Sequence, residues 1–103
     1  MSSDELNGFL EKALEMTRSM LLYAQEENWV ELAKLEGERQ ELFQSLPNTQ
    51  SIQKNKEFEE KIQQILVIDR EMQALVVKAR DEVRDEIIQL NKDKSAVKAY
   101  EAK

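Results

Sequence analysis

The stretch "NWVELAKLEGERQELFQSLPN", residues 28–48, decides the fold because it contains one complete helix with both of its ends. Asn28 can act as the N-cap, and Glu31 stands where a capping glutamate belongs. Pro47 should end the helix, because the residue before a proline is pushed out of helical backbone angles. Apolar residues recur every three or four positions, as on one buried helix face: Trp29, Leu32, Leu35, Leu42, Phe43 and Leu46.

A longer helix precedes this stretch. It should begin at Ser2 or Ser3, because Ser2 and Glu5 can form a capping box, and it should end near residues 26–27. The turn before Asn28 is then so short that the first two helices must run antiparallel. The apolar stripe of this helix is Leu6, Phe9, Leu10, Ala13, Leu14, Thr17, Met20, Leu21 and Ala24.

A third helix should begin between Ser51 and Lys56, after a loop at residues 47–51. Its stripe is Phe58, Ile62, Ile65, Ile68, Met72, Leu75, Val76, Ala79, Val83, Ile87 and Leu90. We expect a break at residues 91–95, a polar run that contains weak helix formers, and a short helix after it.

The sequence therefore predicts an all-α protein, an antiparallel three- to four-helix bundle with a long third helix. The bundle should cover residues 1–91, and residues 92–103 should form a short C-terminal helix or tail.

Arg39 interrupts the apolar stripe of the second helix, at a position where a leucine would pack. If the loop after this helix is short, Arg39 faces residues 66–69 of the third helix. Asp69 lies there, on the apolar stripe between Ile65 and Met72. We infer a structural ion pair between Arg39 and Asp69 that fixes the register of the two helices. The alternative is that Arg39 extends its guanidinium group to water, with Asp69 at the edge of the interface.

Composition excludes several classes of protein. The 103 residues carry 21 acidic and 15 basic side chains, a net charge of −6, and all of this net charge lies in residues 1–50, which hold ten acids against four bases. An acidic half disfavours nucleic acid as a direct ligand. Cysteine and histidine are both absent, which removes disulfides, thiolate ligands and the commonest general base. With no secretory signal and no apolar run of about 20 residues for a membrane span, we expect a cytoplasmic protein.

Four acids on neighbouring turns of the third helix suggest a metal site: Asp81, Glu82, Asp85 and Glu86. A di-metal carboxylate bundle also needs Glu-x-x-His pairs, which a chain without histidine cannot form. Arg80 and Arg84 alternate with the acids, so an ion-paired, solvated surface is the simpler interpretation. Gly8 and Gly37 stand alone and form no phosphate-binding loop. We therefore expect that the protein is not an enzyme and that it binds neither a cofactor nor a metal ion.

The third helix also carries apolar residues outside its main stripe, in the pairs Leu66–Val67, Val76–Val77 and Ile87–Ile88. One helix face cannot bury both members of each pair, so a C-terminal helix, a second copy of the chain or a client should cover them. Methionines at positions 16, 20 and 72 either adapt to a partner or simply fill the core. The predicted partner-binding groove comprises Leu66, Val67, Met72, Val76, Val77, Ile87 and Ile88.

Three segments, taken in order, resemble the FliT family of flagellar export chaperones: "SMLLYAQEENWVELAKLEGERQELF", "ILVIDREMQALVVKARDEV" and "KDKSAVKAY". The ordered set carries the resemblance, since single helical positions match easily by chance. It places a tryptophan at the start of the second helix and an Ala-Tyr pair near the end. The matching positions are Leu21, Leu22, Ala24, Trp29, Leu32, Leu35, Glu36, Arg39, Ile65, Asp69, Leu75, Arg80, Lys94, Ser95, Ala99 and Tyr100.

The resemblance implies a chaperone that binds the C-terminal segment of the filament cap protein, prevents premature assembly and delivers this client to the type III export apparatus. Some relatives also restrain the flagellar master transcription regulator. In this family the C-terminal helix folds over the groove, which makes residues 92–103 a regulatory lid with Val97 and Tyr100 as covering side chains. An undocked, frayed terminus is the alternative for those residues. The alternative function is a structural helical tether or a homodimeric coiled-coil adaptor with no export client.

Overall fold

The structure, a computed structural model, describes residues 3–46 and 56–101. These residues form three helices, α1 (Ser3–Gln25), α2 (Trp29–Gln44) and α3 (Lys56–Glu101). No strand occurs in the two described ranges, so the predicted all-α class is confirmed. The chain divides into two units, the first unit Met1–Gln73 and the second unit Ala74–Lys103, and α3 contributes residues to both.

A tight corner joins α1 to α2. Glu27 has a positive φ of 59°, and the backbone N–H groups of Glu27 and Asn28 donate to Ala24 O at 3.2 Å and to Tyr23 O at 2.8 Å. This pair of bonds closes the end of α1 and reverses the chain. Asn28 Oδ1 then accepts the backbone N–H of Glu31 at 3.4 Å, so the predicted N-cap is confirmed.

The other end of α2 comes slightly earlier than the proline predicts. Ser45 donates its backbone N–H to Glu41 O at 3.1 Å and its hydroxyl to Leu42 O at 2.6 Å, which satisfies carbonyl groups at the helix end. The helix stop at Pro47, the loop at residues 47–51 and the Ser2 capping box lie outside the described residues.

The long helix α3 is continuous, so the break predicted at residues 91–95 is wrong. No glycine or proline occurs within α3, and Gln89 Nε2 donates to Asp93 Oδ1 at 3.1 Å, one turn further on. Polar residues of modest helix propensity weaken a helix without ending it. The described residues therefore form three helices rather than four.

The core of the first unit is built mainly from α1. Ala13 and Leu14 pack with Ile65, and Leu42, Phe43 and Ile68 cover this cluster. The centroids of the Phe9 and Phe43 rings lie 5.9 Å apart, and the rings are tilted against each other, an arrangement that aromatic pairs favour. The buried side chains are Leu6, Leu10, Ala13, Leu14, Thr17, Met20 and Ala24 of α1, Leu32 of α2, and Ile65 and Met72 of α3.

Polar contacts along one side join α1 to the start of α3. Asn7 Nδ2 donates to Glu57 Oε2 at 3.1 Å, and Lys61 Nζ lies 2.9 Å from Glu11 Oε2. The hydrogen bond from Lys61, and then its positive charge, lower the pKa of the Glu11 carboxyl. Glu11 is solvent-exposed, so this pair aligns the two helices more than it stabilises them.

One polar cluster joins all three helices inside the first unit. Arg39 Nη1 of α2 donates to Asp69 Oδ1 of α3 at 2.7 Å and to Thr17 Oγ1 of α1 at 3.0 Å. Thr17 is fully buried, and its hydroxyl donates to Ala13 O at 2.7 Å. The Arg39 side chain is only 14% exposed, and its guanidinium group lies 5.9 Å from the Phe43 ring. The guanidinium therefore faces Asp69 and Thr17 rather than water.

Removing Arg39 should cost more stability than its ion pair alone contributes. Arg39→Ala leaves the Asp69 carboxylate without its cation, so we expect the free energy of unfolding to fall by about 2–4 kcal/mol. Asp69→Ala should also destabilise the protein, because it leaves a largely buried guanidinium group uncompensated. The double variant should lose less than the sum of the two, by about 1 kcal/mol or more. Urea unfolding of the four proteins measures this coupling, and strictly additive losses would contradict it.

Candidate partner-binding surface

Two neighbouring apolar side chains of α3 are exposed in the first unit. Leu66 is 43% and Val67 50% accessible to solvent, whereas Ile65 before them is buried and Ile68 after them is half-buried. Successive residues of a helix point about 100° apart, so a helix that directs Ile65 into the core must direct Leu66 and Val67 away from it. This pair is the most exposed apolar surface that α3 contributes to the first unit.

An open cavity lies beside this pair. It has a volume of about 290 Å³, and its lining side chains are Gln63, Gln64, Val67 and Ile68. A small, open and partly apolar depression suits one or two side chains of a peptide better than an enclosed small molecule. The amides of Gln63 and Gln64 carry both donors and acceptors, which peptide backbone groups can use.

Met72 does not line an accessible groove in this structure. Its side chain is buried, and Met20 is completely buried in the same unit. Both residues fill the core, as the alternative interpretation of the methionines had it. Met72 therefore does not belong to the accessible part of the predicted groove.

The remaining predicted groove residues lie in the second unit. Ile87 and Ile88 are exposed, and Val76 and Val77 are half-buried. Val83 and Leu90, which the sequence assigned to a buried stripe, are more than half exposed. The stripe of α3 is thus a core stripe only in the first unit, where Ile65 and Met72 are buried.

The two predicted lid residues are open to solvent. Val97 is exposed, and Tyr100 is 82% accessible. Both belong to the unbroken C-terminal part of α3 rather than to a separate helix. In this conformation neither side chain serves as a cover, and the lid stays a prediction.

The acidic cluster on α3 forms an ion-paired surface. Asp81 Oδ1 lies 3.6 Å from Arg84 Nη2, three residues along the helix, and both side chains are substantially exposed. Within residues 3–46 and 56–101, no three acidic side chains are arranged to share a metal ion.

The three described helices do not resemble membrane-spanning segments. None of the three combines the length and the apolar character that a membrane crossing requires.

These features define a small, all-helical protein that leaves apolar side chains exposed on one long helix. A family model described as "Flagellar protein FliT" matches residues 9–102, nearly the whole sequence. The chain therefore belongs to the FliT family, a family of flagellar export chaperones. No curated protein and no solved structure matches it.

Proposed function

We propose that this protein binds the C-terminal segment of the flagellar filament cap protein in the cytoplasm, prevents its premature assembly and presents it to the type III export apparatus. Membership of the FliT family supports the chaperone role. The observation that carries the choice of surface is the exposed Leu66–Val67 pair beside a well-packed core. The proposed role is non-catalytic and uses no cofactor.

The Leu66–Val67 patch has the properties that a reversible client site needs. Covering the exposed part of two aliphatic side chains stabilises a complex by about 1 kcal/mol each, which is useful but not enough to trap a client. The open depression beside Val67 accepts a further apolar side chain of the client. An amphipathic segment that places apolar residues three or four positions apart can engage such a surface repeatedly along its length.

The proposed client site includes exposed residues of the second unit as well. Ile87 and Ile88 are exposed and Val76 and Val77 are half-buried, so all four can lose further apolar surface to a client. Each unit contributes its own patch, and the client contacts are proposed for each patch separately.

We also propose that the first unit is an antiparallel bundle. Phe9 meets Phe43, and Thr17 meets Arg39, so residue numbers rise along α1 while they fall along α2. Asn7 meets Glu57 and Glu11 meets Lys61, so α1 and the start of α3 progress together. These pairs support an up-down-up order with short connections.

A structural tether is the competing function, and a tether would not bind the client. A tether or coiled-coil adaptor would use its apolar surface only for helices of its own assembly. Restraint of the flagellar master transcription regulator rests on the family resemblance alone and is not part of this proposal.

A synthetic peptide from the C-terminus of a filament cap protein should bind the full chain. The exchange of Leu66 and Val67 for serine together should raise the dissociation constant at least about tenfold, because about 1.4 kcal/mol corresponds to a factor of ten. Isothermal titration calorimetry measures the affinity. Val30→Ser is the matched control, since Val30 is 78% exposed on α2 and should leave binding unchanged. A folded chain that ignores the peptide would favour the tether.

We further propose that residues 92–103 restrain client access as a lid. Docking would require α3 to unwind near residues 91–95, where the polar run offers the weakest helix formers. Deletion of residues 92–103 should then lower the peptide dissociation constant severalfold, because the peptide no longer competes with Val97 and Tyr100. The same calorimetric titration measures this change. An unchanged affinity would end the lid proposal and leave the client proposal standing.

A further inference from the structure

Asn7 and Gly8 form the one Asn-Gly pair in the sequence, and both residues belong to α1. The backbone nitrogen of a glycine has no neighbouring Cβ, so it can approach the side-chain amide of the preceding asparagine without hindrance. Gly8 is exposed, and open space surrounds the position where a Cβ would stand. The other asparagines of the chain precede tryptophan, threonine or lysine. The amide of Asn7 is therefore the one most open to attack by the backbone.

The Asn7 side chain is hydrogen-bonded at one end only. Its Nδ2 donates to Glu57 Oε2 at 3.1 Å, whereas its Oδ1 is buried and accepts no hydrogen bond from the residues that the structure describes. The opposite amide orientation would place an oxygen against the Glu57 carboxylate, so the contact with Glu57 fixes which atom is buried. A buried acceptor without a donor weakens the closed arrangement. Asn7 therefore holds the start of α1 less firmly than a fully hydrogen-bonded side chain would.

We propose that Asn7 is a site of spontaneous deamidation, with the backbone nitrogen of Gly8 as the nucleophile. The Gly8 N–H loses its proton, the nitrogen bonds to Cγ of Asn7, and the bond from Cγ to Nδ2 breaks. Nδ2 leaves as ammonia with one added proton, and a cyclic succinimide remains. Water, the only co-reactant, then opens the ring. Cleavage between Cγ and the nitrogen gives aspartate, and cleavage at the backbone carbonyl gives isoaspartate. No electron transfer is involved.

The helix controls when this reaction can start. An N–H group inside an α-helix donates to the carbonyl four residues earlier, and helical backbone angles hold the nitrogen of Gly8 away from Cγ of Asn7. However, α1 begins at Ser3, so Asn7 lies near a helix end, where local opening is most frequent. Gly8 lowers the helix propensity of the same segment. Deamidation therefore proceeds from an opened start of α1, at a rate that this opening limits.

The modification weakens the contact between α1 and the start of α3. A carboxylate at position 7 cannot donate to Glu57 and instead repels it. Lys61 Nζ lies 2.9 Å from Glu11 Oε2 and 3.8 Å from Glu57 Oε1, so one ammonium group would then serve three carboxylates. Isoaspartate also adds a carbon to the main chain, which interrupts the helical hydrogen bonds. The Leu66–Val67 patch has no part in this reaction, and the inference does not rest on the proposed client function.

Incubation of the full chain at mildly alkaline pH, followed by trypsin digestion and mass spectrometry, tests the reaction. Residues 1–12 form one tryptic fragment in which Asn7 is the single asparagine, so its products are assigned directly. We expect this fragment to convert severalfold faster than the fragment that contains Asn28, and faster still when the chain is unfolded in guanidinium chloride. Gly8→Ala should suppress the conversion, because a methyl group fits the open space and hinders the nitrogen. Conversion no faster at Asn7 than at Asn28, or equal rates in the folded and unfolded chain, would overturn the proposal.

Asn7→Asp reproduces the aspartate product and tests its structural consequence. This variant should lower the urea concentration at the midpoint of unfolding and speed amide exchange in residues 3–12 and 56–61. Glu57→Gln in the same chain should restore part of the loss, because it removes the pair of like charges. Asn91→Asp is the matched control, since Asn91 is exposed on α3 in the second unit and the change in charge is the same. Equal effects of Asn7→Asp and Asn91→Asp would contradict the proposed weakening.

Discussion

The hydrogen bonds of Arg39 to Thr17 and Asp69 fix how the three helices of the first unit meet. An apolar stripe alone tolerates a slip of one helical turn, since another leucine can take the place of the first. A slip of about 5.4 Å would move Arg39 away from the Thr17 hydroxyl and leave the guanidinium and the Asp69 carboxylate without each other, at a cost of several kcal/mol. The network therefore specifies register, although its net contribution to stability is modest. That register turns Ile65 and Met72 inward and Leu66 and Val67 outward.

The apolar surface of the protein follows from this arrangement and from the length of α3. The first unit has three helices and can bury a core, whereas the described part of the second unit is one helix. A single helix cannot bury a face against itself, and its stability in water is marginal without a partner. The exposed valines and isoleucines are thus surface that other molecules are expected to cover, which suits a protein that holds clients.

Much of the fold and of the Arg39 cluster could be predicted from the sequence, and the predictions that are wrong have physical causes. The N-cap at Asn28 could be predicted from its residue type and its spacing to Glu31. The ion pair could be predicted because Asp69 lies at the height on the third helix that faces Arg39. Thr17 was assigned to the apolar stripe of α1, because a threonine there resembles core filling until the arginine that needs its hydroxyl is located. The break predicted at residues 91–95 is wrong because polar residues resemble a loop in composition, although they lower helix propensity too little to end a helix by themselves. The sequence places Val83 and Leu90 on a buried stripe, yet both are exposed, because the periodicity of apolar residues identifies a helix face and does not show whether a neighbouring element covers that face.

Hydrogen–deuterium exchange of the Arg39→Met chain tests most directly whether the Arg39 network holds the first unit together. Methionine keeps the packing of the side-chain stem and removes the donors, so only the polar network is lost. The account predicts that amides of α1, α2 and residues 56–73 lose protection together, while those of residues 74–101 keep their rates. Faster exchange confined to the one turn of α2 around residue 39 would contradict it.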